Sequence, residues 1–337
     1  MIIPDSAPLV PVSDRFALYR APERARTASF ADDVRNGLTA ARKELAPKYF
    51  YDELGSAIFE AICQLPEYYL TRTESDILER YAGEMVAALG GEIEVVEFGS
   101  GSARKTRALI GAALERQPRL AYHPIDISPV ALVDSSAALV AQYERLYISA
   151  YASDYVDVLE SARLRTSKRV LALFLGSNIG NYDPTSARKL LRAMSAAFKP
   201  GDGLLLGTDL KKDVATLERA YNDPIGVTSA FNKNVLARIN RELGGHFDLD
   251  GFAHVSRYDA RRGSVDSYLV AGRGMRIPID ALRIDVAFTA AETIHTESSH
   301  KFDAADIAQL AVDSGFHVGT TWTDDARRFA VSLLVIA

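Results

Sequence analysis

The sequence predicts an α/β fold: a mostly parallel sheet covered by helices on both faces, with a second, discontinuous α+β domain. Three observations predict it. Short apolar runs alternate with helical patterns between about residues 73 and 211, the signature of parallel strands joined by crossover helices. The alternation stops near Asp209 and returns only after residue 300, so one domain is interrupted by another. An early apolar strand runs straight into the turn Gly99-Ser100-Gly101 and then a helix, the place where sheets of this kind bind ligands.

The elements follow in order. Residues 1–30 are rich in Pro, Arg and Ala without clear periodicity and are expected to wrap the surface or lie partly loose. Two short helices are predicted, Phe30 to Lys43 and Gly55 to Cys63, joined by the aromatic connector Pro47-Lys-Tyr-Phe-Tyr-Asp52. Thr71-x-x-Glu74 has the capping-box spacing, so a helix is expected from about Thr73 to Leu89. Strands are predicted at 94–98, 120–127, 170–175 and 202–208, alternating with helices at 104–115, 129–143 and 185–197. Helical stretches at 213–221 and 229–243 come next, then strand-like runs near 252–258, 267–270 and 285–289. An amphipathic helix at 304–314, a strand at 317–322 and the strongly β-forming 329–336 close the chain. Residues 1–72 and 212–300 are expected to form one domain, the substrate-binding one, and residues 73–211 and 301–337 the other.

Composition narrows the function. The 337 residues are 48% apolar and 25% charged, enough for a sizeable core. The net charge of −5, without a basic block, argues against nucleic acid as a partner. Cys63 is the one cysteine and forms no internal disulfide, which fits a reducing, cytoplasmic setting. The first residues lack a basic stretch followed by a long apolar run, so no signal peptide is expected. No apolar stretch approaches the ~18 residues of a membrane span. The expectation is a monomer acting on a small molecule.

The glycine turn departs from the dinucleotide fingerprint, because Arg104 stands where the third glycine belongs. This counts against NAD. Glu97, two residues before Gly99, counts toward S-adenosylmethionine: a carboxylate there suits a cationic sulfonium and amine and repels a diphosphate. The alternative is a strand-end acid facing solvent. Two further strand ends carry acids. Asp126 can accept from both ribose hydroxyls, and Asp154 beside Tyr155 can accept from the adenine amine and stack on its ring. The fourth strand ends in Leu175-Gly176-Ser-Asn-Ile-Gly-Asn181, where the methyl group would meet its acceptor. Asn181 either caps the following helix or accepts a hydrogen bond from a substrate amine. The closing strands around Trp322 resemble the antiparallel hairpin of class I methyltransferase sheets, so the core is expected to be the Rossmann-like one of class I S-adenosylmethionine methyltransferases.

Tyr49, Tyr51, Tyr68 and Tyr69 cluster in the other domain. Phenols bind a carboxylate without adding full charge, although core packing explains most tyrosines taken singly. Methyl transfer needs a nitrogen lone pair, and an α-amine with a pKa of ~8 supplies a neutral fraction without a strong base. Holding nitrogen and methyl carbon in line at about 3 Å is the main task. His295 and His300 are five residues apart, on opposite faces of a strand and well apart around a helix, so no metal site is expected.

These blocks together resemble the L-histidine Nα-methyltransferases of ergothioneine biosynthesis, over nearly the whole chain from about Asp33. The distinctive ones are Pro47–Asp52, Leu65-Pro-Glu-Tyr-Tyr69, Phe174–Asn181, Gly207-Thr-Asp-Leu-Lys-Lys-Asp213, Gly226–Asn234 and Thr296-Glu-Ser-Ser-His-Lys-Phe302. The resemblance implies three successive methyl transfers from S-adenosylmethionine to histidine, giving the betaine hercynine. It implies cofactor contacts at Gly99, Ser100 and Lys105, with Gly101 in the same turn, at Asp126, and at Asp154 with Tyr155. It implies Tyr51 and Asn181 at the α-amine, Tyr68 and Tyr221 at the carboxylate, Glu297 and Ser299 at the imidazole, and Phe59, Gly176 and Thr228 shaping the pocket. Ser267 stands where the mycobacterial type has a methionine lining the imidazole pocket. Other expectations are the same chemistry on another aromatic amino acid such as tryptophan or a derivative, and a non-catalytic amino-acid or S-adenosylmethionine binding module.

Overall fold

In the computed structural model the backbone is described for residues 2–4, 10–20, 23–164 and 168–336, and side chains for all of these except 2–4, 23–29 and 160–164. The chain divides into two compact units. The first comprises Met1–Ala21, Leu70–Lys211 and Lys301–Ala337, and the second Pro22–Tyr69 and Lys212–His300.

The first unit is built on a nine-stranded sheet. Its order is Phe316–Thr323, Phe329–Ile336, Gly203–Asp209, Arg169–Phe174, Ile93–Phe98, Leu120–Asp126, Leu146–Ala152, Phe16–Arg20 and Val10–Ser13. From Gly203–Asp209 through Phe16–Arg20 the neighbours are parallel. Every residue of Gly203–Asp209 is buried, and all but the first of Arg169–Phe174. A strand covered on both faces needs an uninterrupted apolar run, and that is how these segments read. Phe329–Ile336 pairs antiparallel with Gly203–Asp209 and with Phe316–Thr323, forming the closing hairpin of the class I core. Ile93–Phe98 lies between Arg169–Phe174 and Leu120–Asp126, so the chain winds outward in both directions from it. That is the topological switch point, and Gly99 follows it directly.

Helix starts are set by local chemistry. Asp183 accepts from Thr185 and Ser186 N–H ahead of Pro184–Ala197, with Pro184 in the first turn. Asp303 and Asp306 form a reciprocal capping box ahead of Ala304–Asp313. The Thr71-x-x-Glu74 spacing is not such a start. The helix spans Tyr69–Ala87, so Thr71 and Glu74 lie inside it, and the Glu74 carboxylate bonds elsewhere in the first unit.

The second unit carries a four-stranded sheet in the order Phe252–Asp259, Ser264–Ala271, Thr293–His300 and Lys43–Glu44, with a separate hairpin of Met275–Ile279 and Ile284–Phe288. Helices Val214–Tyr221 and Val227–Leu243 pack on this sheet. The sequence missed Met275–Ile279 and Thr293–His300. The latter reads Thr-Ile-His-Thr-Glu-Ser-Ser-His, with no apolar alternation to mark it.

The N-terminal segment also differs from expectation. Phe16–Arg20 pairs parallel with Leu146–Ala152 and so belongs to the sheet of the first unit rather than to a domain beginning at residue 1. For residues 1, 5–9, 21 and 22 the expectation of a loose surface segment lies outside the described residues.

Candidate active site

In the first unit the turn after Ile93–Phe98 is shaped by two left-handed glycines, Gly99 (φ 75°) and Gly101 (φ 50°). A side chain at either would be strained, and a Cβ at Gly101 would meet nothing within 4 Å, so the turn stays open. Gly99 and Ser100 N–H both donate to Ile125 O, at 2.8 and 3.2 Å. The Ser100 hydroxyl is buried with no protein partner, an unusual state for a buried donor. Asp126 ends the next strand. Its Oδ2 accepts from Gly101 N–H at 2.8 Å and its Oδ1 from Ser128 N–H at 2.9 Å. Ile127 N–H is a third backbone donor to this carboxylate, and the lone-pair directions that remain are open to neighbouring hydroxyls. Burial pushes the Asp126 carboxyl up, against its backbone donors.

Asp154 and Tyr155 follow the third strand. Asp154 Oδ1 accepts from Val156 N–H at 3.0 Å. The Tyr155 ring meets Phe174 and Phe98 edge-on, and its hydroxyl is bonded to Tyr182. An orphaned buried hydroxyl, an open glycine turn and a fixed carboxylate at the switch point together fit S-adenosylmethionine.

Glu97 departs from the solvent-facing alternative. It is 4% exposed, so it is no solvent-facing strand end. Both of its oxygens lie 2.8 Å from Thr106 Oγ1, and Oε2 also accepts from the Tyr122 hydroxyl. Burial raises its pKa to about 7, against the lowering effect of these donors. Glu97 therefore carries much less charge at neutral pH than an ordinary carboxylate. Lys105 is ion-paired with Glu74.

The fourth strand leads into Gly176 (φ 75°), Ser177 in a left-handed conformation (φ 56°), and the 3-10 turn Asn178–Asn181. Gly176 N–H donates to Glu74. Asn181, half-buried, ends this turn and does not cap the next helix, because Asp183 does. The structural explanation for Asn181 is thereby removed.

In the second unit the aromatic connector, three helices and one strand bring a cluster together. Tyr51 meets Phe59 edge-on at 5.5 Å, Phe59 meets Tyr68 at 6.2 Å, and Tyr68 meets Tyr221 at 6.1 Å. Phe231 contacts both Tyr51 and Phe59. Sequence reasoning missed Phe231, although it lies one helical turn after Thr228 in Val227–Leu243. The Tyr221 and Ser299 hydroxyls are 2.8 Å apart. Burial drives the Tyr68 phenol well above its ordinary pKa, with Tyr221, Tyr51 and Glu297 among the neighbours adding to it. Tyr68 is thus a neutral hydrogen-bonding group, and Glu297 belongs to the same surroundings. Glu297 and Ser299 stand two apart on Thr293–His300 and so project from one face.

Ser267 pairs with Glu297 across the strands at an irregularity in register. Its side chain is fully buried, and its hydroxyl bonds Ser256 Oγ at 2.8 Å. Thr228 starts its helix buried, with its N–H donating to Asp223 Oδ1 at 2.7 Å. His254, beside Ser256, has its pKa lowered to about 4 by burial. Among the described residues no group of three His, Cys, Asp or Glu is placed to hold a metal, and no helix is long and apolar enough to cross a membrane. The site residues are therefore divided: Gly176, Asn181 and the glycine turn belong to the first unit, and Tyr51, Phe59, Tyr68, Tyr221, Thr228, Ser267, Glu297 and Ser299 to the second.

Comparison with known proteins bears on both units at once. The chain is 41% identical over 319 residues to a histidine N-alpha-methyltransferase of Mycolicibacterium smegmatis, covering 95% of this chain and 98% of that protein. It is 40% identical over 301 residues to a histidine N-alpha-methyltransferase of Mycobacterium tuberculosis, covering 89% and 93%. It is 30% identical over 239 residues to ergothioneine biosynthesis protein 1 of Schizosaccharomyces pombe, covering 68% of this chain and 31% of that longer protein. The profile of the family described as histidine-specific methyltransferase, SAM-dependent, matches residues 30–336. With a match that runs through both units, the chain belongs to the family of histidine-specific, S-adenosylmethionine-dependent methyltransferases.

Proposed function

We propose that this enzyme transfers three methyl groups in succession to the α-amino nitrogen of L-histidine, giving hercynine, a step toward ergothioneine. The observation that carries this reading is the Tyr68–Tyr221–Ser299 cluster with Glu297 beside it, in a chain of the histidine-specific family.

S-adenosylmethionine supplies the electrophilic methyl group. Gly99, Ser100, Gly101 and Lys105 would hold its amino-acid end, Asp126 its ribose, and Asp154 with Tyr155 its adenine. Glu97 supports this turn from beneath through Thr106. Tyr68 and Tyr221 donate to the histidine carboxylate as neutral phenols, which leaves the substrate's own charge to be offset by the cofactor. Glu297 accepts from one imidazole nitrogen and Ser299 bonds the other, with Phe59, Thr228 and Ser267 bounding the space. Tyr51 is assigned to the α-nitrogen, and Asn181 is assigned to keeping the acceptor lone pair on the methyl carbon. In each transfer a new C–N bond forms as the methyl–sulfur bond breaks. One proton leaves the α-ammonium before the first transfer, as a pKa of ~8 allows, and one more leaves nitrogen to water after each of the first two transfers. Catalysis on this reading is mainly orientation, worth several kcal/mol.

The net charge of −5 without a basic block and the single cysteine support a cytoplasmic enzyme without a nucleic-acid partner.

The test is competitive methylation of an equimolar histidine and tryptophan mixture, read by mass spectrometry, with wild type and Glu297→Ala. A site built to hydrogen-bond a polar ring rejects an analogue that leaves its groups unpaired, often by ~10⁴. Wild type is expected to use histidine almost alone, and Glu297→Ala to lose much of that preference. Equal use of both amino acids by wild type defeats the histidine reading.

A further inference from the structure

Glu74 is a fully buried carboxylate that the mechanism above does not use. It lies within helix Tyr69–Ala87. Both of its oxygens face the Gly176 N–H, at 2.8 and 3.0 Å, and Oε2 also accepts from Lys105 Nζ. Gly207 makes room for it: a Cβ there would fall 2.1 Å from Glu74 Oε1. Three separate stretches of sequence are thus fitted around one carboxylate. A buried charge is tolerated only when paired and hydrogen-bonded, so Glu74 depends on both partners and constrains both.

The two partners belong to different ligand turns. Lys105 ends the turn that begins at Gly99, and Gly176 begins the turn that ends at Asn181. The turns come close to each other. A Cβ on Gly99 would lie 3.2 Å from the Asn178 side-chain nitrogen, and one on Gly176 would lie 3.6 Å from Lys105 Nζ. Each turn also holds a non-glycine residue in the left-handed region, Ala103 (φ 50°) and Ser177 (φ 56°). Such conformations persist only where the surroundings impose them.

We propose that Glu74 is a positioning residue for methyl transfer: its carboxylate ties the Lys105 end of the cofactor turn to the Gly176 end of the acceptor turn, so that the two are held as one piece. The proposal rests on the reading of these turns given under the proposed function. It assigns Glu74 no contact with either substrate.

The test uses the full chain with three readouts: calorimetric binding of S-adenosylhomocysteine, histidine turnover, and a thermal melt. Glu74→Gln keeps an oxygen for the Gly176 N–H and removes the charge that holds Lys105. Glu74→Ala removes both. Glu74→Gln is expected to bind S-adenosylhomocysteine about tenfold more weakly, the scale of one charge-assisted hydrogen bond, and, with the tie cut at Lys105, to lose kcat by about tenfold. Glu74→Ala is expected to show the same loss of affinity and a larger loss of kcat, on the order of a hundredfold, as for a misplacement of ~1 Å. In a Lys105→Met background, Glu74→Gln is expected to cost no further affinity, because the link it breaks is already gone. Where Glu74→Ala does not fold, Glu74→Asp, one methylene shorter, reads the same loss of kcat. Unchanged affinity in Glu74→Gln, or an equal loss in both backgrounds, overturns the link through Lys105. A fall in turnover that only tracks the folded fraction overturns the link through Gly176. Failure of the wild type to bind S-adenosylhomocysteine strikes the cofactor reading itself and is seen separately.

Discussion

The hydroxyl groups of Tyr221 and Ser299 lie 2.8 Å apart, one at the end of helix Val214–Tyr221 and the other on strand Thr293–His300. The residue proposed for the substrate carboxylate is therefore wired to one proposed for its imidazole. Removing either hydroxyl disturbs the other. Tyr221→Phe and Ser299→Ala are each expected to raise KM for histidine by about tenfold, and the double variant to lose less than the product of the two. A coupling of ~1 kcal/mol is the expected scale. A double-mutant cycle on kcat/KM checks it, and strict additivity counts against a shared role.

Asn181→Ala is expected to lower kcat on the order of a hundredfold with little change in cofactor affinity. Because Asp183 caps the following helix, the melting temperature is expected to hold. A melt and a rate measurement on the same preparation decide it. A drop in stability of ~1 kcal/mol with unchanged turnover per folded enzyme is the outcome for a cap, and it would remove Asn181 from the mechanism.

Asp126 serves both the turn and the ligand. Its oxygens accept from Gly101 and Ser128 N–H, so Asp126→Ala is expected to cost ~1–3 kcal/mol of stability. Loss of two charge-assisted bonds to the ribose predicts a fall in S-adenosylhomocysteine affinity of about a hundredfold or more. Calorimetry on the folded variant measures this. Affinity within a factor of ~3 of wild type contradicts the ribose assignment.

Glu97 gives a pH prediction whose sign can be worked out. Burial raises its pKa from the ordinary 4.5 to about 7. Between those values the folded protein keeps a proton that the unfolded chain has released. Stability from this group is therefore lost as pH rises through that window and is constant above it, a change on the order of 3 kcal/mol. Glu97→Gln is expected to flatten that slope. Denaturation midpoints of both proteins from pH 5 to 8 test it, and parallel curves would mean that Glu97 is ionised throughout.

The sequence reveals the first unit better than the second, for a physical reason. Arg169–Phe174 and Gly203–Asp209 are covered on both faces and read as unbroken apolar runs. Thr293–His300 is largely buried too, yet apart from Ile294 its buried members are polar. Thr296 bonds Asn232 and Ser299 bonds Tyr221, and those partners are 64 and 78 residues away. No local period announces them, so Glu297 and Ser299 enter through family resemblance rather than pattern. Glu74 shows the opposite failure. Its spacing from Thr71 imitates a helix start, while its actual partner at Gly176 is 102 residues away. A local rule cannot distinguish a cap from an anchor whose partner is that remote. The three strand-end acids were legible because topology alone carries them to the sheet's carboxyl edge. What topology does not give is orientation: Glu97 turns inward onto Tyr122 and Thr106.

The segment Lys212–His300 leaves and rejoins the first unit at a hydrogen-bonded seam. Lys211 N–H donates to Phe302 O at 2.8 Å, and Phe302 N–H to Asp209 O at 3.0 Å. In polymer terms the excursion is a loop whose ends are already fastened by the flanking backbone. The entropy of closing such a loop grows only with the logarithm of its length, ~0.6 kcal/mol per doubling. Lengthening or shortening an exposed turn within this excursion therefore costs the surrounding strands little. The excursion is not self-sufficient, however: Pro22–Tyr69 and Lys212–His300 form one compact unit, with Lys43–Glu44 joining its sheet at Thr293–His300, so a protein engineer who exchanges one segment has to exchange the other with it.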